Sequence, residues 1–428
     1  MLDRSKAPDI YEVDAVSLQV AEVSNLANGA KFHAIKNETQ PVIRLDFVFK
    51  AGKWYDSKPG VSDLAAKMLL EGSQNYTAKQ IAERVAFYGA SFESNHHYDR
   101  TEYTLYCLTK YLKDLLPLLV DVLQHPVFPE EEFKLLKQRT AQNIKVQRQK
   151  NSYIATQSFT KLIFGEKHPY LFGFDQDNIE AITLQDVQEF YQKQFSTAGL
   201  EVFACGSMDN DLQSELVKSI EALHFAAGNA EEEMRHQAVQ SPLEKVVFKE
   251  IKDSLQSSIR IGRIFPLIHH EDYHKLLLLN EVLGGYFGSR LMRNIREDKG
   301  YTYGIYSAMS PRENATLFYV GTDVNYAVTE NTLTEIHKEI ELLKTELISE
   351  DELMVVQSYM AGKFINDMAT IFDQTDKYKK IMLHQLPHDY YNTFLNTIRN
   401  TTAEELLDLA NKYLKEEDLY TAIAGRKA

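Results

Sequence analysis

The sequence predicts an α+β protein built as two tandem related halves, each a largely antiparallel sheet with helices packed on one face. Three observations predict it: an internal repeat at an offset near 220 residues, alternating strand patterns early in each half, and long polar helices late in each half. The repeat shows first in two acidic clusters. Pro129-Glu130-Glu131-Glu132-Phe133 follows an amphipathic stretch from Leu116, and Ser349-Glu350-Asp351-Glu352-Leu353 follows one from Ile336, both at an offset of 220. The ends of the halves match as well: a Thr183-capped helix and a strand ending at Gly206 repeat as a Thr402-capped helix and a strand ending at Gly425, at an offset of 219.

Taken in order, Val42–Phe49 alternates with period two at its centre and reads as a half-buried strand. Residues 91–108 give two alternating runs around the polar tip Asn95-His96-His97-Tyr98-Asp99-Arg100, a hairpin signal. Each acidic cluster opens a long helix, its carboxylates in the first turn where the macrodipole favours negative charge. Residues 226–233, small and charged with no apolar period, mark a linker and place the halves at 1–225 and 246–428, with 226–245 between them. In the second half, residues 258–265, 301–309 and 315–323 read as strands, and residues 273–284 as a helix ending at a glycine pair.

The composition is that of a folded chain: 428 residues, 44% hydrophobic, 25% charged, with 47 basic and 61 acidic side chains for a net charge of −14. That balance argues against a nucleic-acid or anionic-membrane partner, which basic side chains would have to attract. The first fourteen residues carry six charges and hold no apolar core of a signal peptide. The longest apolar stretch, residues 115–128, is broken by Pro117, Asp121 and Pro126 and is too short to span a bilayer. Cys107 and Cys205 sit apart in apolar runs and read as buried thiols in a reducing compartment. The expectation is a soluble cytoplasmic protein, or a periplasmic one if a leader has been removed.

The string His270-Glu271-Asp272-Tyr273-His274 satisfies H-E-x-x-H, in which two histidines one turn apart bind zinc and the glutamate activates water. The competing interpretation makes Glu271 and Asp272 first-turn acids of a surface helix; Glu281 or Glu297 would have to supply the third ligand. His96-His97 at the hairpin tip has no carboxylate or cysteine at ligand spacing.

Residues 60–73, Gly-Val-Ser-Asp-Leu-Ala-Ala-Lys-Met-Leu-Leu-Glu-Gly-Ser, follow a strand and the turn Ala51-Gly52-Lys53-Trp54-Tyr55-Asp56. Together with the duplicated plan they resemble the M16 peptidase family, the insulinase-like or processing-peptidase-like zinc proteases, and imply a LuxS/MPP-like clamshell. The family's motif helix reads G-x-A-H-x-x-E-H-M, its histidines binding zinc and its glutamate acting as base. Here Asp63 stands at the first histidine, Ala66 at the glutamate and Lys67 at the second histidine, and Asn143 replaces the distal glutamate ligand. Alanine accepts no proton, and an ammonium offers no lone pair to a metal. The resemblance therefore implies no cofactor in this chain.

A second segment, residues 284–304, keeps its chemistry. Ser289-Arg290-Leu291 leads to Arg296-Glu297-Asp298-Lys299-Gly300-Tyr301-Thr302-Tyr303, which is similar to the family's S-R-L…R-E-x-x-G-x-x-Y signature. Arg296 and Tyr303 match the arginine and tyrosine that face the zinc site across the clamshell, Arg296 on a helix ended by Gly300 and Tyr303 on the following strand. A guanidinium fork and a phenol can hold a peptide carbonyl and its developing oxyanion, at about 2.7–4 kcal/mol per donor. A lost H-x-x-E-H with a retained R/Y pair resembles the non-zinc subunit of the two-chain members. That implies a heterodimer in which a partner with H-x-x-E-H supplies zinc and hydrolysis, and Arg296 and Tyr303 act in trans on a peptide or unfolded chain. Two alternatives stand beside it: a catalytically silent scaffold or assembly subunit, and an independent zincin using His270, Glu271 and His274.

Overall fold

The computed structural model describes residues 16–225 and 244–427, so all but the last two positions of the expected linker lie outside the described residues. The N-terminal part runs β1 (Glu22–Asn25), β2 (Lys31–Lys36), β3 (Val42–Phe49), α1 (Val61–Met68), α2 (Ala78–Phe87), β4 (Ser91–His96), β5 (Thr101–Leu108), α3 (Leu112–Gln124), α4 (Glu130–Gln147), α5 (Asn151–Phe164), α6 (Gln176–Ala181), α7 (Leu184–Gln194), β6 (Glu201–Gly206) and α8 (Asn210–Glu221). The C-terminal part runs β7 (Val246–Glu250), β8 (Gln256–Phe265), α9 (Tyr273–Asn280), β9 (Ile305–Pro311), β10 (Thr316–Asn325), α10 (Thr329–Thr345), α11 (Glu350–Asn366), α12 (Ile371–Leu383), α13 (Tyr390–Asn400), α14 (Ala403–Tyr413) and β11 (Tyr420–Gly425).

The strands form two sheets, ordered β1-β2-β6-β3-β5-β4 and β7-β11-β8-β10-β9. Every pairing is antiparallel except β2 with β6 and β7 with β11, the same place in each sheet. The repeated helix starts are built alike. Thr183 and Thr402 each accept from the N3 amide, and Asp186 and Glu405 reach back to the cap amide, closing a capping box in both.

One face of each sheet packs on its own helices. In the first, Leu45, Phe47, Tyr103 and Leu105 meet Leu64, Leu115 and Leu119; in the second, Ile259, Phe318 and Val320 meet Leu279, Ile336 and Ile340. The opposite face receives a helix from the other part. α5 and α12 stand at the repeat offset, Asn151 against Ile371, and they are exchanged. Phe159 and Ile163 of α5 pack with Leu317, Tyr420 and Ala422 on the second sheet. Tyr378, Ile371 and Met382 of α12 pack with Ile35, Val48 and Phe203 on the first. The hairpin tips also meet about this pseudo-twofold relation: Arg100 Nε donates to Glu313 Oε1 at 2.6 Å, and the Glu313 amide donates to Asp99 at 3.2 Å.

This exchange changes β3. The expected half-buried strand is covered on both faces, and Asp46, on the face under α12, is 1% exposed. Its carboxylate accepts from Lys379 Nζ of α12 at 3.1 Å, and Lys379 also donates to Glu102 at 2.6 Å. Arg44 lies 3.1 Å from Asp46 and donates to Asp376 of α12 at 2.7 Å.

Candidate functional site

α1 begins where the chain turns through Gly60, at φ +97°, a left-handed conformation that favours glycine. Asp56 organises that turn, its two oxygens accepting from the amides of Gly60 and Ser62 at 2.8 and 2.9 Å. Burial raises the Asp56 carboxyl to about 6. The helix buries Val61, Leu64, Ala65 and Met68 against the sheet and turns Asp63 and Lys67 outward. Lys67 Nζ donates to Asp63 Oδ2 at 2.7 Å, one turn apart. Ala66 is buried, and its carbonyl accepts from the Tyr103 hydroxyl at 2.8 Å.

Lys67 and Asn143 line one cleft of about 450 Å³ between α1 and α4, together with Ser94 of the edge strand β4 and the Glu71–Arg139 ion pair at 2.8 Å. Of the four positions expected to correspond to the metal motif, Lys67 and Asn143 line this cleft, Asp63 is tied to Lys67, and Ala66 is buried. Their donors do not fit a zinc ion: the two cations in the cleft, Lys67 and Arg139, are held by carboxylates, and Ala66 and Asn143 stand where two further carboxylates are required. His96, set aside from the sequence as a hairpin-tip residue with no carboxylate at ligand spacing, does meet one in space. It ends β4, accepts or donates at Ser62 Oγ across 2.7 Å, and lies 3.8 Å from Asp63, with burial lowering its pKa to about 4. Strand alternation, which puts Ser94 and His96 on the α1 face, was the signal that could have found it.

The H-E-x-x-H string does not form a zinc site. α9 begins only at Tyr273, so His270 and Glu271 precede the helix, and the two histidines do not share a helical face. His270 Nδ1 instead accepts from the Asp272 amide at 3.0 Å. His274 is buried between Tyr390 and Phe394 rather than lying on a surface helix, and burial lowers its pKa to about 4. Glu281 opens a π-helical continuation, Glu281–Gly285. Among the described residues no group of three His, Cys, Asp or Glu side chains could hold a metal ion.

Arg296 lies in the last turn of a second π-helical segment, Met292–Asp298, which Gly300 terminates at φ +65°. Its guanidinium stacks over the Phe287 ring at 4.5 Å. Tyr303 is not on a strand, as had been expected. β9 starts at Ile305, because Thr302 Oγ1 takes up the Gly304 amide and donates to the Asp323 carbonyl at 2.7 Å, which bends residues 301–304 away from the ladder. Tyr303 is 98% exposed, and its hydroxyl has no partner among the described residues. It borders a shallow cleft with Arg260, Tyr306 and Asp323. No hydrogen bond joins Arg296 to Tyr303 among the described residues; Arg296 is half-buried against Phe287 and Tyr303 is exposed, and neither makes a side-chain hydrogen bond or ion pair there.

The fold and this site define a two-sheet α+β architecture in which α1 offers a single carboxylate, Asp63, already taken up by the Lys67 ammonium. A sequence profile described as Insulinase (Peptidase family M16) matches residues 31–168, and one described as Peptidase M16 inactive domain matches residues 181–359. The chain belongs to the M16 peptidase family. It is 22% identical over 396 residues to an uncharacterized zinc protease of Rickettsia felis, covering 91% of this chain and 94% of that one. A non-peptidase homolog, YmxG, of Helicobacter pylori is 24% identical, covering 94% of this chain and 93% of the homolog. The crystal structure of a peptidase M16 inactive domain from Pseudomonas fluorescens superposes with a TM-score of 0.84 at 24% identity, covering 95% of this chain and 98% of that one. No helix among the described residues is long and apolar enough to cross a membrane.

Proposed function

We propose that this chain is the zinc-free subunit of a two-chain M16 peptidase, inactive alone, and that Arg296 and Tyr303 act in trans on a peptide held at the zinc site of an H-x-x-E-H partner. The halves 1–225 and 246–428 form its clamshell, and the partner carries the cofactor. The observation that carries this is Tyr303: an almost wholly exposed phenol, unpartnered among the described residues, on a loop pinned by Thr302. An aromatic side chain serving only the fold would be expected to bury its ring. Arg296, propped on Phe287, offers a second donor to an incoming carbonyl. The absence of imidazole and glutamate at Asp63, Ala66, Lys67 and Asn143 supports a division of labour, as does the similarity to the Helicobacter pylori non-peptidase homolog. Cys107 and Cys205, both free and buried, suit a cytoplasmic setting.

The test mixes the purified chain with an H-x-x-E-H subunit of the M16 family from the same organism and follows cleavage of an unfolded substrate. Activity should require both chains, and should fall in Arg296→Ala and Tyr303→Phe without loss of the complex. A stable complex whose activity ignores both substitutions would leave a scaffold role instead.

A further inference from the structure

A cavity lies away from α1, at the seam between the two parts of the chain. It encloses about 870 Å³ between α5, the loop at 165–175, the turn at 53–59 and Lys249 of β7. That volume is within the range of small-molecule sites, about 300–1,000 Å³.

Its charge is opposite to that of the protein. Five cationic side chains line it against three carboxylates, in a chain whose net charge is −14. The carboxylates are engaged: Asp175 by Arg148 at 2.9 Å, Glu166 by Lys161, and Asp56 by the two amides that start α1. Lys53, Lys167 and Lys249 make no ion pair among the described residues. Lys53 is only 8% exposed, bonded to the carbonyls of Leu171 and Gly173 and set 4.3 Å from the Phe174 ring. Burial lowers its pKa to about 8 against the attraction of Asp56, which is near but not within ion-pair distance, so the ammonium keeps charge that no partner neutralises by direct contact. His168, also buried, accepts the Tyr170 amide at Nδ1, which leaves the proton on Nε2 as a donor. Ile154 and Phe174 supply apolar wall.

We propose that this cavity binds a small organic phosphate monoester, its dianion taken by Lys53, Lys167, Lys249 and the His168 Nε2–H and its apolar body laid against Ile154 and Phe174. Three unpaired ammonium groups match a dianion better than a single carboxylate. Because Lys249 comes from the second sheet and the other groups from the first part of the chain, an occupant also bridges the two.

The site is independent of the trans-acting role of Arg296 and Tyr303, and the full chain alone suffices to test it. Phenyl phosphate, benzoate and benzyl alcohol serve as probes in thermal unfolding and titration calorimetry. Phenyl phosphate should raise Tm saturably, benzoate less and benzyl alcohol not at all. Lys167→Gln/Lys249→Gln, at two exposed positions, should leave the unliganded Tm unchanged and weaken phenyl phosphate about tenfold or more, whereas Lys79→Gln on α2 should not. No Tm shift with phenyl phosphate, or a shift that survives the double substitution, overturns the proposal.

Discussion

Lys67 Nζ lies 2.7 Å from Asp63 Oδ2 on α1, so the two side chains expected from the sequence at the zinc-histidine positions hold each other in an ion pair. The cleft beside them holds charge that is paired internally. Asn143 of α4 and Ser94 of β4 still face it, and Arg139 is neutralised by Glu71 in the same manner.

Zinc content follows from that pairing. The purified chain should carry far less than one zinc per molecule by atomic absorption. A variant with Asp63→His, Ala66→Glu, Lys67→His and Asn143→Glu should acquire it, since Lys67 of α1 and Asn143 of α4 line one cleft and Asp63 lies one turn from Lys67, in contact with it. A quadruple variant with native circular dichroism and no zinc would show that the four positions are not the motif positions.

Arg296 and Tyr303 should be dispensable for folding. Tyr303→Phe removes only an exposed hydroxyl, and its effect on chemical denaturation should stay within about 0.5 kcal/mol. In the reconstituted pair each loss of a donor should lower the turnover rate by about 10²–10³-fold. A large stability change for Tyr303→Phe would point to a structural role.

The Asp46–Lys379 pair should be a fastener between the two parts. Lys379→Met leaves Asp46 buried with Arg44 as its remaining cation and Glu102 without Lys379, and urea denaturation should show a loss of about 3–5 kcal/mol. Replacing all three, as Asp46→Leu/Glu102→Gln/Lys379→Met, should recover much of that loss, because neither carboxylate is then left without Lys379.

Exchange of α5 and α12 should make unfolding cooperative across the whole molecule. Calorimetry should give one transition. Phe159→Ala, which empties a contact between α5 and the second sheet, should lower its midpoint at a cost of about 3–5 kcal/mol without splitting it. Two separate transitions would mean that the parts fold independently.

Acid should destabilise the fold. Burial lowers His96, His168, His274 and His384 to about 4 from an ordinary 6.5. Between those values the unfolded chain takes up protons that the folded chain refuses, so stability falls as the pH drops. Asp56 and Asp99, raised by burial to about 6, act oppositely, the folded chain gaining protons first. Four groups against two leave a net loss. The urea midpoint should be lower at about pH 5 than at about pH 7.5, and His274→Phe should narrow the difference.

Much of the fold was legible in the residues. Alternation located β3 and the β4–β5 hairpin, and acidic first turns located α4 and α11, because these signals act within one element. The repeat offset, being a property of order along the chain, paired the two halves. That Ala66 and Lys67 offer a metal no donor was equally plain, since a methyl group and an ammonium carry their chemistry wherever they sit.

Tertiary structure decided what depends on contacts across the chain. The sequence could not say that α5 and α12 trade sheets, which buries both faces of β3 and encloses Asp46. It could not keep Tyr303 off the strand, because the competing bond runs from Thr302 to Asp323 on another strand. Nor could it dismiss His270-Glu271-Asp272-Tyr273-His274: the helix that would join its histidines starts three residues too late, and only the packing of Tyr390 and Phe394 shows where His274 goes. Local pattern fixes which side chains are present and how each segment folds. Long-range packing fixes which of them meet, and that is where the free energy of burial is realised.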